Sequence, residues 1–311
     1  MPPDASDHDR LYENKLDRSG RDQLSRSFQI SRGVARRNST VLYAGMRRIP
    51  EPKRSAMFSI YAWKRRVDNA ADLDGIVESR RVEVNRLREM TDRAFDGTPT
   101  RNADAFWDGF ADTVHRYQIP KAWLDSLFEG LEWDLSCGVC ETEQELEKYG
   151  YQVGSTIAMT LAKVCGPAAG VDEGDLLEQA KNRGLAFQLT NILRDFAADY
   201  DSYPKRQYLP REWFVEAGLK PNAMRAWMPS EDCERFALRW IDSAHRVFES
   251  SAGLESMLDP SCRAGVRLMT AHAVEILREL GRNPSRMVRG HKAGVSAVRR
   301  TRLAVVGRMV R

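Results

Sequence analysis

The stretch Gly184-Leu-Ala-Phe-Gln-Leu-Thr-Asn-Ile-Leu-Arg-Asp-Phe-Ala-Ala-Asp199 carries a line of polar side chains through an otherwise apolar sequence. At intervals of three, four and four residues, this line contains Gln188, Asn191, Asp195 and Asp199. That spacing places all of them on one face of an α-helix. Because the neighbouring positions are mostly apolar, the line is predicted to face an interior or a cleft, where its carboxylates need a cation or hydrogen-bond donors nearby.

A second polar line lies in residues 61–72, Tyr-Ala-Trp-Lys-Arg-Arg-Val-Asp-Asn-Ala-Ala-Asp. Arg65, Asp68 and Asp72 share one face of this strongly helical segment. Carboxylate oxygens from two facing helices are ligands that Mg²⁺ accepts, and the ion completes its shell with water and phosphate oxygens. The two lines therefore predict a Mg²⁺ site that holds a phosphate-bearing substrate, and two solvated helix faces are the alternative interpretation.

The rest of the chain predicts an all-α fold. Apolar residues recur every three or four positions, and alternating β-branched runs are missing. With 30% charged residues, a mean hydropathy of −0.52 and no apolar run near about 20 residues, the 311-residue chain is not expected to be an integral membrane protein. Helices are expected at 21–36, 52–76, 78–95, 103–117, 122–136, 143–164, 173–199, 230–250, 260–281 and 285–310.

Charge is distributed unevenly along the chain. Nine of the 48 lysines and arginines lie in residues 282–311, which contain no acidic residue. The remainder carries 39 basic and 44 acidic side chains, a net charge of −5, which argues against a nucleic-acid-binding protein. We expect a flexible polar tail at 1–20, one catalytic domain at 21–284 and a basic segment at 285–311. Contact of the basic segment with an anionic membrane is one expectation, and packing on the acidic body is the other.

Two features predict a cytoplasmic protein. The polar N-terminus lacks the apolar region of a secretory signal. The five cysteines are odd in number and scattered, which does not suggest a disulfide framework. Association with the inner face of the membrane through residues 285–311 is an additional expectation.

Both polar lines resemble motifs of the squalene/phytoene synthase family, the trans-isoprenyl diphosphate synthases that join two allylic diphosphates head to head. The first aspartate motif of that family, D-x-x-x-D, matches Asp68 and Asp72. The second, N-x-x-x-D-x-x-x-D, matches residues 191–199. The longer run at 188–195, Gln-Leu-Thr-Asn-Ile-Leu-Arg-Asp, is nearly diagnostic.

Three further elements follow the family pattern. Residues 206–210, Arg-Gln-Tyr-Leu-Pro, match R-x-Y-L-P, and residues 130–135, Gly-Leu-Glu-Trp-Asp-Leu, resemble G-M-E-x-D-L. Residues 149–156, Tyr-Gly-Tyr-Gln-Val-Gly-Ser-Thr, resemble Y-C-Y-x-V-A-G-T. The resemblance spans roughly residues 39–280 and rests on these motifs occurring in order.

The resemblance implies a single-domain helical bundle of the isoprenoid synthase type with a central cavity. It also implies roles for the matching positions. The expected metal ligands are Asp68, Asp72, Asn191, Asp195 and Asp199. The four aspartates among them are expected to be catalytic together with Tyr149, which takes the position of the family's active-site tyrosine. The expected substrate-binding residues are Arg65, Gln188, Asn191, Arg206, Ser39, Met46, Phe58, Val153 and Ala158.

The implied reaction joins two prenyl diphosphates through a cyclopropylcarbinyl diphosphate intermediate, with Mg²⁺ as cofactor and Mn²⁺ as the alternative ion. Phytoene synthesis from geranylgeranyl diphosphate is favoured by a small margin. The alternative is a presqualene diphosphate or squalene synthase that uses farnesyl diphosphate. The sequence does not indicate NADPH. More remote alternatives are a head-to-tail prenyltransferase or terpene cyclase, and a non-catalytic helical homologue.

Several positions depart from the family pattern. The usual Y-A-x-C-R has Lys64 in place of the cysteine, and Asn69 stands where a second adjacent acidic residue is common. The usual S-x-S-F reads Ser-Thr-Val-Leu at 39–42, without the second hydroxyl. These departures favour the non-catalytic alternative. The small residues at 154, 155 and 158 are expected to leave room for a prenyl chain.

Overall fold

The computed structural model describes residues 18–98, 104–136 and 138–289. Within these ranges the chain forms fourteen α-helices, one π-helical turn, one 3₁₀ turn and no β-strand, so the prediction of an all-α domain is confirmed. In chain order, the helices are α1 Arg18–Asn38, α2 Thr40–Met46, α3 Lys53–Ala71, α4 Val77–Phe95, α5 Phe106–Arg116, α6 Lys121–Ser136, α7 Glu143–Gly150, α8 Thr156–Cys165, α9 Glu173–Tyr200, α10 Arg211–Glu216, α11 Pro221–Ala226, α12 Ser230–Ser250, α13 Leu254–Met257 and α14 Pro260–Arg282.

Helix α9, which contains the second aspartate motif, is the longest helix of the described chain and lies at its centre. It packs against α8, α12 and the π turn. Its start is set locally, because the Asp172 side chain accepts hydrogen bonds from the Gly174 and Asp175 amides at 2.8 and 3.2 Å. Such a cap satisfies backbone donors that a helix leaves unpaired at its first turn.

Helix α3, which carries Asp68 and ends at Ala71 with Asp72 as its C-cap, packs against α1, α4 and α5. Its fully buried Trp63 stacks on Phe110 and meets the edge of Phe128 at centroid distances of 5.6 and 5.8 Å. The indole Nε1 donates to Thr91 Oγ1 at 2.9 Å, so the polar end of this large side chain is satisfied in the core. This packing fixes the rotation of α3 about its axis and thereby the direction of its polar line.

The helix predicted over 143–164 is helical throughout, but not all of it is α-helical. A π-helical turn, Tyr151–Ser155, separates α7 from α8. Here the chain crosses α9 at very short range, since a Cβ atom on Gly184 would lie 2.4 Å from Ser155 Cα and one on Gly154 would lie 2.6 Å from Gly184 O. The Ser155 hydroxyl donates to Lys181 O at 2.7 Å. The prediction that residues 154 and 155 leave room for a prenyl chain is therefore wrong, because their small size serves this helix crossing.

The ends of the described chain differ from the predicted boundaries. Helix α1, Arg18–Asn38, is already helical at the first described residue, so it includes three residues before the predicted start at 21. At the other end, Pro284–Met287 form a 3₁₀ turn. Most of the helix predicted at 285–310 falls in residues 290–311, outside the described residues. No helix in the described part of the chain is long and apolar enough to cross a membrane.

Candidate active site

A cavity of about 220 Å³ opens between α3 and α9 and brings the two aspartate motifs together. Helix α6, the end of α7, the π turn and the loop after α9 complete its lining. Ten of the predicted site residues line this cavity: Arg65, Asp68, Asp72, Tyr149, Val153, Gln188, Asn191, Asp195, Asp199 and Arg206. The tertiary structure thus assembles one polar site from segments that are more than 100 residues apart in the sequence.

Four other predicted substrate-binding residues are not among those that line this cavity. Ser39 caps α2, where its hydroxyl accepts a hydrogen bond from the Leu42 amide at 3.2 Å. Met46 is buried in the core. Phe58 is also buried and lines a separate groove beside α1, and Ala158 lies half-buried in α8. Their contact with a prenyl chain stays a prediction.

Basic side chains pair with the first aspartate motif. Lys64 Nζ lies 2.9 and 2.7 Å from the two carboxylate oxygens of Asp68. Arg206 donates from its terminal nitrogen to Asp72 Oδ1 at 2.8 Å, while its buried Nε has no hydrogen-bond partner among the described residues. An unpaired buried donor is costly, so this nitrogen marks a place where a ligand acceptor would be stabilised.

The second aspartate motif is less completely neutralised. Arg194 pairs with the carboxylate of the adjacent Asp195 and also lines the cavity. No ion pair forms at the Asp199 carboxylate within the described residues. Burial, and next the negative charge of Asp195 one turn earlier, raise the pKa of Asp199 to about 7. The positive charge of Arg206 opposes this shift, although Arg206 forms its ion pair with Asp72 and not with Asp199.

A buried carboxylate, Asp134 of α6, forms the base of the cavity together with two tyrosines. Tyr149 donates to Asp134 Oδ2 at 3.0 Å, and Tyr208 donates to Asp134 Oδ1 at 2.8 Å. The two phenol rings stack with centroids 4.6 Å apart, and Trp133 packs beside them. We call Asp134, Tyr149 and Tyr208 the Asp134 cluster.

Burial raises the pKa of Asp134 to about 7, although the Arg206 guanidinium and the two tyrosine hydroxyls oppose this shift. Burial, with the Asp134 carboxyl as the next cause, also raises the pKa of Tyr149 well above its usual value. The Tyr149 phenol is therefore neutral and directed toward the carboxyl group that can share its proton. The cluster presents aromatic faces and one fixed hydroxyl to the cavity.

The loop that carries Arg206 and Tyr208 is attached to the segment after α6. Gln207 forms a parallel bridge with Val139, in which its amide donates to Gly138 O at 2.6 Å and its carbonyl accepts from the Cys140 amide at 2.9 Å. Gly138 has a φ of +61° and lies against this loop, a combination that favours glycine. Because consecutive side chains alternate along an extended segment, Arg206 and Tyr208 both face the cavity.

A family model for squalene/phytoene synthases matches residues 35–303, most of the 311-residue chain. The chain belongs to the squalene/phytoene synthase family. The resemblance expected from its motifs is thus confirmed, and the chain is a prenyltransferase of this family.

Relatives within the family have two activities in their names. The phytoene synthase of Cereibacter sphaeroides is 31% identical over 267 residues, 83% of this chain and 73% of that protein. The presqualene diphosphate synthase of Rhodopseudomonas palustris is 28% identical over 259 residues, 83% of this chain and 79% of that protein. A crystal structure of a dehydrosqualene synthase in complex with ligand has the same fold, with a TM-score of 0.81 at 21% identity, and the match covers 93% of this chain and 98% of that one.

The carboxylate set of this squalene/phytoene synthase fits a hard divalent cation, although the site is not preformed. No three His, Cys, Asp or Glu side chains in the described residues converge closely enough to hold a metal ion. Ion pairs account for this, because three of the four motif aspartates are already paired with a lysine or arginine side chain. Asp199 is the one motif aspartate without an ion pair in the described residues, so a cation can bind its carboxylate without displacing a basic side chain.

Asp134 and Tyr208 lie in elements that follow the family pattern, but the motifs alone assign no role to either residue. Both are buried, and both line the cavity. The only sequence signal was that each residue lies in an element that follows the family pattern, and the tertiary contact shows that both share one hydrogen-bonded cluster with Tyr149. Lys64 had been noted only as a departure from the family pattern, and it also lines the cavity.

Replacing Asp134 by asparagine is expected to change how stability depends on pH. An unfolded aspartate titrates near pH 3.9, whereas native Asp134 keeps its proton up to about pH 7. Between these values the native state binds a proton that the unfolded state has released, so the free energy of unfolding falls as the pH rises, by about 1.4 kcal/mol per pH unit from this group. Asparagine retains partners for both tyrosine hydroxyls and does not titrate.

Urea denaturation at about pH 5.5 and about pH 8 measures the effect. From the lower to the higher pH, the variant should gain about 2 kcal/mol of stability relative to the wild type. Asp175→Asn, at an exposed position of α9, controls for the substitution itself. Parallel pH profiles of Asp134→Asn and wild type would contradict a protonated Asp134 at the base of the cavity.

Proposed function

We propose that this squalene/phytoene synthase family member condenses two molecules of geranylgeranyl diphosphate head to head and releases phytoene. The observation that carries the proposal is the single cavity lined by both aspartate motifs and by the Asp134 cluster. One half of this cavity suits two diphosphate groups, and the other suits a carbocation. A non-catalytic homologue has no need of such an arrangement, so the geometry favours an enzyme.

The aspartate motifs would hold Mg²⁺, or Mn²⁺ in its place, through Asp68, Asp72, Asp195 and Asp199, with Asn191 as an additional oxygen ligand. When bound there, such ions would supply positive charge that neutralises the diphosphates and stabilises the leaving group. Arg65 lines the cavity on the α3 side, where its guanidinium can contact a diphosphate oxygen. Arg206, with its unpaired buried Nε, adds a second such donor.

Gln188 extends the polar line of α9 toward the π turn, where Val153 and Leu131 begin the apolar part of the lining. An allylic cation formed here is captured by water unless the surface around it is apolar and its charge is stabilised by aromatic faces. Tyr149 and Tyr208 supply such faces. The neutral Tyr149 hydroxyl, hydrogen-bonded to Asp134, is the group we propose to orient the cation, or to accept a proton from it while passing its own proton to the carboxylate form of Asp134.

Phytoene is favoured over presqualene diphosphate by the names of similar proteins. Phytoene synthases reach 31% and 32% identity to this chain, and the Rhodopseudomonas palustris presqualene diphosphate synthase reaches 28%. The second candidate product is accordingly presqualene diphosphate, or squalene, from farnesyl diphosphate. A route to squalene requires a reductant, and NADPH is not indicated by the sequence.

A product assay distinguishes these outcomes. Purified protein is incubated with Mg²⁺ and either geranylgeranyl or farnesyl diphosphate, without NADPH, and the extracted lipids are analysed by mass spectrometry. Phytoene from the longer substrate is the expected result. Presqualene diphosphate from the shorter substrate would replace the proposal with the second candidate. The absence of pyrophosphate release from both substrates would overturn head-to-head condensation altogether.

Two expectations concern the surroundings of the enzyme. We propose that it acts in the cytoplasm and that the basic segment at 285–311 contacts the inner face of the membrane. The physical support is that the product is a long hydrocarbon and that basic residues are attracted to anionic lipid surfaces. Residues 290–311 lie outside the described residues.

A further inference from the structure

Lys64 stands where the family pattern has a cysteine, and its side chain is directed into the cavity. Its ammonium contacts both oxygens of Asp68, at 2.9 and 2.7 Å, across one turn of α3. Both side chains are mostly shielded from solvent, with exposed fractions of 28% for Lys64 and 22% for Asp68. The pair is therefore less screened by water than an ordinary surface ion pair.

This contact changes the charge of the first aspartate motif. With Arg206 on Asp72 and Lys64 on Asp68, each of its two carboxylates already has a positive partner. A divalent ion that binds Asp68 must therefore displace the ammonium or share the carboxylate with it. On α9, in contrast, Asp199 has no ion pair in the described part of the chain. The two motifs thus differ in how many of their carboxylates are free to bind a metal ion.

The chemistry of lysine allows its ammonium to exchange one anion for another. It is a compact point charge with three donors on a flexible stem of four carbons, and the stem lets it move without a change in the backbone. A diphosphate that enters the cavity carries more negative charge than Asp68 and lies beside the same lining residues. The neighbouring Arg65 and Arg206 already form a basic rim there.

We propose that Lys64 is a substrate-binding residue specific to this chain. Its ammonium forms an ion pair with Asp68 when no substrate is bound, and it moves from Asp68 to the diphosphate when the substrate binds. The inference rests on the proposed function, because it assumes that the ligand is a diphosphate. Two consequences follow for the cavity. Part of its affinity for pyrophosphate does not require a metal ion. Its affinity for divalent ions is lower than it would be with a neutral residue at position 64.

This inference predicts two effects of opposite sign for Lys64→Met. Pyrophosphate binding without metal loses one charge-assisted contact and should weaken about tenfold or more. Divalent-ion binding gains a released Asp68 carboxylate and should strengthen about threefold or more. Lys64→Arg keeps the positive charge and should recover most of the pyrophosphate affinity. A purely structural ion pair predicts no gain in metal affinity when it is removed.

The experiment uses the full chain and two probes. Binding of inorganic pyrophosphate in the presence of EDTA is measured by calorimetry. Binding of Mn²⁺ alone is measured from the electron paramagnetic resonance signal of the free ion. The matched control is Lys121→Met. Lys121 binds Asp125 in the same i to i+4 geometry, at 2.8 and 3.0 Å, but lies outside the cavity. The control should leave both affinities at the wild-type value.

The inference is overturned by any of three results: wild-type protein that does not bind pyrophosphate without metal, a variant that binds it as tightly as the wild type, or a variant whose Mn²⁺ affinity is unchanged or lower. These readouts do not depend on turnover. Failure of the product assay with the wild type would therefore refute the proposed function, whereas normal products combined with unshifted binding would refute only the role of Lys64.

Discussion

Asp195→Asn is expected to lower turnover by about 10³-fold or more while the protein stays folded. Asp195 lies at the centre of the second aspartate motif and lines the cavity. In the proposed mechanism its carboxylate helps to hold the ions that bind the diphosphates, and the loss of one such electrostatic contact costs several kcal/mol in the transition state. Its removal also relieves Asp199, whose pKa is raised by burial and by the charge of Asp195.

Stability should therefore change little, because removing one of two neighbouring negative charges offsets the loss of the partly exposed Arg194–Asp195 ion pair. Turnover is measured from pyrophosphate release at saturating Mg²⁺, and folding from circular dichroism and urea denaturation. Asp175→Asn, on the exposed first turn of the same helix, should retain full activity. Retained activity in both Asp195→Asn and Asp68→Asn, at equal Mg²⁺, would show that the two motifs do not act as a shared metal-binding site.

Gly184→Ala is expected to destabilise the protein by about 3 kcal/mol or more. The added methyl group would meet backbone atoms of the π turn, at 2.4 Å from Ser155 Cα and 2.6 Å from Gly154 O. Backbone atoms cannot turn aside as a flexible side chain can, so α9 and the π turn must separate. The separation would also displace Val153 and Tyr149, which line the cavity on the opposite side of this crossing.

The matched control is Gly281→Ala, which makes the same change near the end of α14. There the nearest heavy atom, Ile241 Cγ2, is 3.9 Å from the new methyl group, an ordinary contact distance. Alanine is the better helix former, so this variant should be as stable as the wild type or more stable by up to about 1 kcal/mol. Urea denaturation compares the two, and equal stabilities would mean that the crossing is looser than the structure describes.

Much of the architecture could be predicted because it depends on local properties of the chain. The period of the apolar residues identified α3 and α9 and the face on which each carries its aspartates. Four short helices were not predicted, Thr40–Met46, Arg211–Glu216, Pro221–Ala226 and Leu254–Met257. A helix of one or two turns has too few residues to show a period, and its stability comes mainly from packing. The π turn was missed for a related reason, because its cause lies on another helix.

The sequence by itself determined the helical class, the two aspartate faces and the family to which the chain belongs, because spacing along a helix is a property of the residues in order. Only the tertiary structure decided which charges meet. It placed Lys64 on Asp68, left Asp199 without an ion pair in the described residues, and buried Asp134 between two tyrosine hydroxyls. These pairings depend on how α3, α6 and α9 rotate and approach one another, and on burial, which sets the strength of each electrostatic interaction.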